Sequence, residues 1–137
     1  MIKQTEINLA PRRRGFYLIT KELESRVSPL PNAGIAVFFI RHTSAALTLN
    51  ENVDSSVRID FESFMDKMVP DGDPLFTHLG EGSDDMSAHL KSSLIGATVT
   101  VPIVDGRLHL GTWQGIYLCE FRNFGISRKI SVTIIGE

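Results

Sequence analysis

Apolar and polar positions change period several times along the chain, and each change marks an element. From Ile2 to Leu9 a ragged two-residue alternation predicts an edge strand, stopped by Pro11 and a basic turn at Arg12-Arg13-Arg14-Gly15. Thr20 can cap a short helix that runs to about Val27, before Ser28-Pro29 and Pro31 end it. Ile35 to Ile40 is continuously apolar, as expected of a central strand buried on both faces. Beyond it, Leu47 and Leu49 alternate with Thr48 and Asn50, which predicts an extended stretch with a polar face.

Asp54 caps a predicted helix over 54 to 69, with Val57, Phe61, Phe64, Met65 and Met68 at three- and four-residue intervals as its core stripe. Pro70 to Gly82 reads as a loop, long enough to serve as a lid. Asp84 then caps a third helix over 84 to 94, which sets Asp85 and His89 on one face beside a buried stripe of Met86, Leu90 and Leu94.

The C-terminal third reads as β. Asp105-Gly106 is a two-residue hairpin signal that puts Pro102 opposite His109 and makes His109 a surface residue. Ile116 to Arg122 and Arg128 to Ile135 read as a second hairpin, pairing Ile116 with Ile134 and Leu118 with Val132. That register sets Arg122 opposite Arg128 with Glu120 diagonal, so either Glu120 or a small phosphorylated ligand must neutralise the guanidiniums. The fold class is α+β: one domain over residues 1–137, mainly antiparallel strands with three helices.

Charge and cysteine content narrow the function. With 14 basic and 16 acidic side chains and a net charge of -2, the chain lacks the phosphate attraction of a nucleic-acid binder. Cys119 is the sole cysteine, which excludes an internal disulfide and a thiolate-rich zinc site; mid-strand and without a paired base, it reads as packing. Met1 to Pro11 lacks a signal-peptide pattern and no apolar run reaches membrane-spanning length, so a soluble cytoplasmic protein is expected.

The chemistry centres on three histidines in polar settings. His42 lies in His-Thr-Ser-Ala, His78 in Phe-Thr-His-Leu-Gly-Glu-Gly and His89 in Asp-Asp-Met-Ser-Ala-His. Imidazoles flanked by hydroxyls and carboxylates can bind a divalent metal (zinc, nickel or magnesium) or exchange protons near neutral pH. His42, His78 and His89 are therefore expected to converge on one pocket, with Arg128 at its anionic-ligand end.

Four motifs in order, His42-Thr43-Ser44-Ala45, Leu47-Thr48-Leu49-Asn50-Glu51, Asp84-Asp85-Met86-Ser87-Ala88-His89 and Leu110-Gly111-Thr112-Trp113-Gln114, resemble the YjbQ family through nearly the whole chain. The resemblance implies a compact antiparallel β-sandwich, a homotrimer, and a weak secondary thiamine-phosphate synthase activity. That reaction joins a pyrimidine diphosphate to a thiazole phosphate and releases pyrophosphate. Carried over by motif, the catalytic candidates are His42, His78, His89, Glu51 and Asp85, and the substrate-binding candidates are Thr43, Ser44, Asn50, Trp113, Gln114, Glu120 and Arg128. Where relatives approach the last strand with Gly-Pro-Arg-x-Arg, this chain has Gly125-Ile126-Ser127-Arg128-Lys129, which keeps the second position's charge but loses its bidentate fork.

Two functions compete. One is an enzyme on small phosphorylated compounds, with the histidines holding a metal or moving protons and an arginine holding phosphate. The other is a non-catalytic, ligand- or metal-binding homotrimer whose histidines close around a structural ion.

Overall fold

The computed structural model describes residues 1–137. In chain order the elements are β1 (Ile2–Leu9), β2 (Arg13–Leu18), α1 (Thr20–Val27), β3 (Ala33–Ile40), β4 (Ala45–Glu51), α2 (Ser55–Met68), α3 (Asp85–Ile95), β5 (Thr98–Val104), β6 (Arg107–Leu108), β7 (Gln114–Phe124) and β8 (Arg128–Gly136). Two antiparallel sheets result, one ordered β1-β8-β3-β5-β6 and the other β2-β7-β4. The expected α+β class with mainly antiparallel strands is what forms. No helix is long and apolar enough to cross a membrane.

Alternation along the strands builds the layers. In β7, Ile116 and Leu118 join Phe38, Val101, Val132 and Ile134 in the main core between the sheets. The odd residues Tyr117, Cys119 and Phe121 turn the other way and pack with Phe16, Ala46, Met65 and Ala88, the last two on α2 and α3. The three-stranded sheet is thus the middle layer, buried on both faces, which is why β7 reads as an almost unbroken buried run.

That layering overturns the expected hairpin of the last two strands. β7 pairs with β2 and β4, whereas β8 pairs with β1 and β3, so the chain changes sheets between Phe124 and Arg128. Ile116 and Leu118 meet Val132 and Ile134 face to face across the core, not edge to edge. The matching apolar periods could not distinguish these two arrangements.

Other expectations need correction too. The arginine run is not a turn, since β2 begins at Arg13 with a register shift before Gly15. Thr20 does not cap α1, because its hydroxyl accepts from the Ile116 N–H. Asp54 does cap α2 by accepting from Ser56 N–H, yet Phe64 and Met68 on that helix are exposed. On α3 the expected stripe is inverted: Leu90 and Leu94 are exposed, while Asp85, Ser87, Ala88 and Lys91 are buried. Asp84 makes no cap bond there. β3 is buried on its inner face alone, leaving Ile35 and Phe39 outward on this single chain. The Asp105-Gly106 turn forms as expected, with both residues at positive φ and the His109 N–H donating to the Pro102 carbonyl.

Candidate functional site

The polar interior of α3 organises the site. Asp85, its side chain only 7% exposed, accepts at Oδ2 from two imidazoles, His78 Nε2 at 2.7 Å and His89 Nε2 at 3.0 Å. Its Oδ1 accepts from Arg122 Nη1 at 2.5 Å. Burial alone would raise the Asp85 carboxyl, but the His78 bond and the charges of His89 and Arg122 outweigh it and keep the group below the usual carboxylate range.

Each partner arrives from a different part of the chain. His89 stands one helical turn after Asp85, and its Nδ1 lies 2.9 Å from the Thr43 carbonyl in the turn between β3 and β4. Both oxygens facing His89 only accept, so the ring makes both bonds only with a proton on each nitrogen. His78 sits on the 70–84 loop, whose neck is closed by Gly72 N–H donating to the Ser83 carbonyl at 3.2 Å. Arg122, near the end of β7, also donates from Nε to Asp84 Oδ2 at 3.0 Å and from Nη2 to the Glu81 carbonyl at 3.0 Å.

His42 does not join this cluster. Its Nε2 accepts from the Lys129 N–H at 2.8 Å, which fixes the neutral ring's proton on Nδ1 and removes Nε2 as a metal donor. Burial, then the Arg128 charge, lowers its pKa, in keeping with a ring that accepts. His42 does share a shallow groove with Thr43, His89, Ser92 and Ser93.

Arg128 is not placed as an open anion grip. Its side chain is 2% exposed, and it donates from Nε to Glu120 Oε1 at 2.7 Å, from Nη2 to Glu120 Oε2 at 2.5 Å and to Ser44 Oγ at 3.0 Å. The Glu120–Arg128 pair instead bolts the two sheets together behind the His42–Ser44 turn. Arg122, expected opposite Arg128, faces the aspartates of α3.

The remaining candidates fall at the far end of the middle sheet. Glu51 pairs with Gln114 in the β4–β7 register, whereas Ala45 pairs with Glu120. Six residue steps of about 3.3 Å put those ends roughly 20 Å apart. Asn50, Glu51, Trp113 and Gln114 therefore lie away from Asp85 within one chain. There Gln114 Oε1 accepts from Gly111 N–H, Asn50 Oδ1 accepts from Glu51 N–H and Trp113 is 63% exposed.

His78, Asp85 and His89 form a donor set for a divalent ion, their ligand atoms all within 4.8 Å of one another. Zinc bonds of about 2.0–2.1 Å in tetrahedral geometry need donors about 3.3 Å apart, so the two His–Asp85 separations of 2.7 and 3.0 Å would open by only a few tenths of an ångström. The His89 Nδ1 contact with the Thr43 carbonyl is the outer hydrogen bond that orients a metal-binding imidazole. The residues fit, but as His-Asp-His and not as the three histidines expected.

Sequence reasoning missed Arg122 as a site residue. The adjacent Asp84-Asp85 pair at a helix start demands a nearby cation, but nothing local shows that it lies 37 residues on from Asp85.

The model for UPF0047 protein YjbQ-like chains matches residues 5–137. The chain belongs to the YjbQ family. It is 48% identical over 136 residues to UPF0047 protein YjbQ of Salmonella typhimurium, covering 98% of both chains, and 39% identical to UPF0047 protein YugU of Bacillus subtilis, covering 88% and 89%. Among solved structures, a conserved hypothetical protein from Thermus thermophilus superposes with a TM-score of 0.85 at 31% identity, covering 96% of this chain and 99% of that one. A YjbQ-family-like protein from Sulfolobus solfataricus, described as of unknown function, gives 0.87 at 27% identity, covering 100% and 99%.

Proposed function

We propose that the chain is an enzyme acting on small phosphorylated compounds, with Asp85 and its two imidazoles as the reacting centre. The observation that carries this is the shared carboxylate: one buried oxygen accepts from both His78 and His89 beside the groove, while a guanidinium takes the other oxygen. Packing alone gives no reason to bury a carboxylate with three cationic or protonatable partners.

The family resemblance suggests thiamine-phosphate synthesis as a secondary activity. A carbon–nitrogen bond forms between the pyrimidine methylene and the thiazole nitrogen as the carbon–oxygen bond to the diphosphate breaks, and pyrophosphate leaves with the electron pair. Such a departure needs charge neutralisation and hydrogen-bond donors more than a nucleophile. In the groove that His89 lines, the neutral His42 ring can donate a hydrogen bond from Nδ1, and Arg122 has two N–H groups beyond its three bonds for a phosphate oxygen. Bound at His78, Asp85 and His89, a divalent ion would supply Lewis-acid stabilisation of the leaving oxygens.

The assembly is proposed as a homotrimer. Besides the family resemblance, exposed Phe64 and Met68 on α2 and Leu90 and Leu94 on α3 leave apolar surface that a partner chain would cover. The test of function is pyrophosphate release from a pyrimidine diphosphate mixed with a thiazole phosphate, run with and without a chelator. Turnover that needs both substrates supports the reading. No release at high protein concentration, with or without added zinc, nickel or magnesium, contradicts it.

A further inference from the structure

We infer that Arg122 is a positioning residue for this centre, setting both the Asp85 carboxylate and the loop that carries His78. The inference rests on the reading of Asp85 as the reacting centre, but it concerns a side chain that the family motifs leave out.

The His78 ring is hydrogen-bonded to Asp85, so two things determine where it lies: the rotation of that carboxylate and the course of the loop. Arg122 controls both. Nη1 fixes Asp85 Oδ1, which directs Oδ2 toward the imidazoles, and Nη2 holds the Glu81 carbonyl, three residues beyond His78 in the same loop. Nε holds Asp84 Oδ2, which also accepts from the Asn123 N–H, so the guanidinium is itself locked to the start of α3. Gly82 sits in this passage at φ 106, where an added Cβ would come within 3.1 Å of Asp84 Oδ1 and 3.9 Å of Arg122 Nη2.

The loop has a second anchor that does not touch the centre. Asp71 accepts from Arg14 Nη2 at 2.7 Å and from the Ser87 hydroxyl at 2.5 Å. Loosening that anchor slackens the loop near Asp71 but leaves Arg122 holding both Asp85 and the Glu81 carbonyl, whereas loosening Arg122 disturbs both. The planar fork matters: a lysine keeps the charge but cannot span Asp84, Asp85 and the Glu81 carbonyl together.

The test compares Arg122→Lys and Asp71→Asn with the unaltered chain. Zinc affinity is measured by competition with a chromophoric chelator, and the imidazole nitrogens are followed by NMR. Arg122→Lys is expected to keep the folded circular-dichroism spectrum, weaken zinc 10- to 100-fold and shift the His78 Nε2 signal toward that of a free ring. Asp71→Asn is expected to leave zinc affinity within threefold. Arg122→Lys with unaltered affinity and an unaltered His78 signal overturns the inference, as does an equal loss in Asp71→Asn. If the unaltered chain binds no zinc, the metal part of the functional reading fails while the His78 signal still decides the role of Arg122.

Discussion

Asp85 is held ionised against its burial, and that has a pH signature. Its folded pKa lies below the ordinary value, as do those of Asp84 and Asp71, each because charged and hydrogen-bonding partners outweigh desolvation. The unfolded chain then takes up protons first, so the stability these groups contribute is present above about pH 4 and is lost as pH falls through the depressed folded values. Urea unfolding between pH 6 and 3 should show that loss, and Asp85→Asn should flatten it. The i, i+4 spacing of Asp85 and His89 was legible in the sequence, since a helix face follows from a period. The Asp85 contacts with His78 and Arg122 were not, because a loop and a strand from another layer have no period that reveals where they meet a helix.

At the scale of elements, the spans of the helices and of most strands were legible from breakers and apolar spacing, while their partners and the buried face of α3 were not. β8 alternates equally well as a hairpin partner of β7 or as the strand facing it across the core. The choice is tied to the Glu120–Arg128 pair, which spans the two sheets with both side chains almost wholly buried. Arg128→Met leaves Glu120 charged in the core with the Arg122 N–H but no counter-charge, and should cost about 3–5 kcal/mol in chemical unfolding. Gly125 lies directly under Glu120, where a methyl group would run into the carboxylate and the Arg12 carbonyl. Gly125→Ala should therefore lower stability by roughly 1–3 kcal/mol, measured the same way. The inverted face of α3 has a related cause: Lys91, 1% exposed, reaches the exposed Asp66 of α2 at 2.6 Å, so this helix buries a lysine where hydropathy expects leucines.

For the whole molecule, layering explains the placement of the centre and the assembly is the open prediction. The five-stranded sheet, the three-stranded sheet and then α2 and α3 stack in that order, which puts Asp85 against the strand ends of the middle layer. Sedimentation at micromolar concentration should give three times the 15.2 kDa chain, and a species of 15.2 kDa alone would contradict the trimer. The central claim is that chemistry occurs where one buried carboxylate gathers two imidazoles and a guanidinium. Its most direct test is pyrophosphate release by Asp85→Asn, assayed beside the unaltered chain on the pyrimidine diphosphate and thiazole phosphate pair. The account predicts a folded variant with at least about 100-fold less turnover, as expected when a group acting in the transition state is lost. A folded Asp85→Asn protein that turns over at the unaltered rate would contradict it.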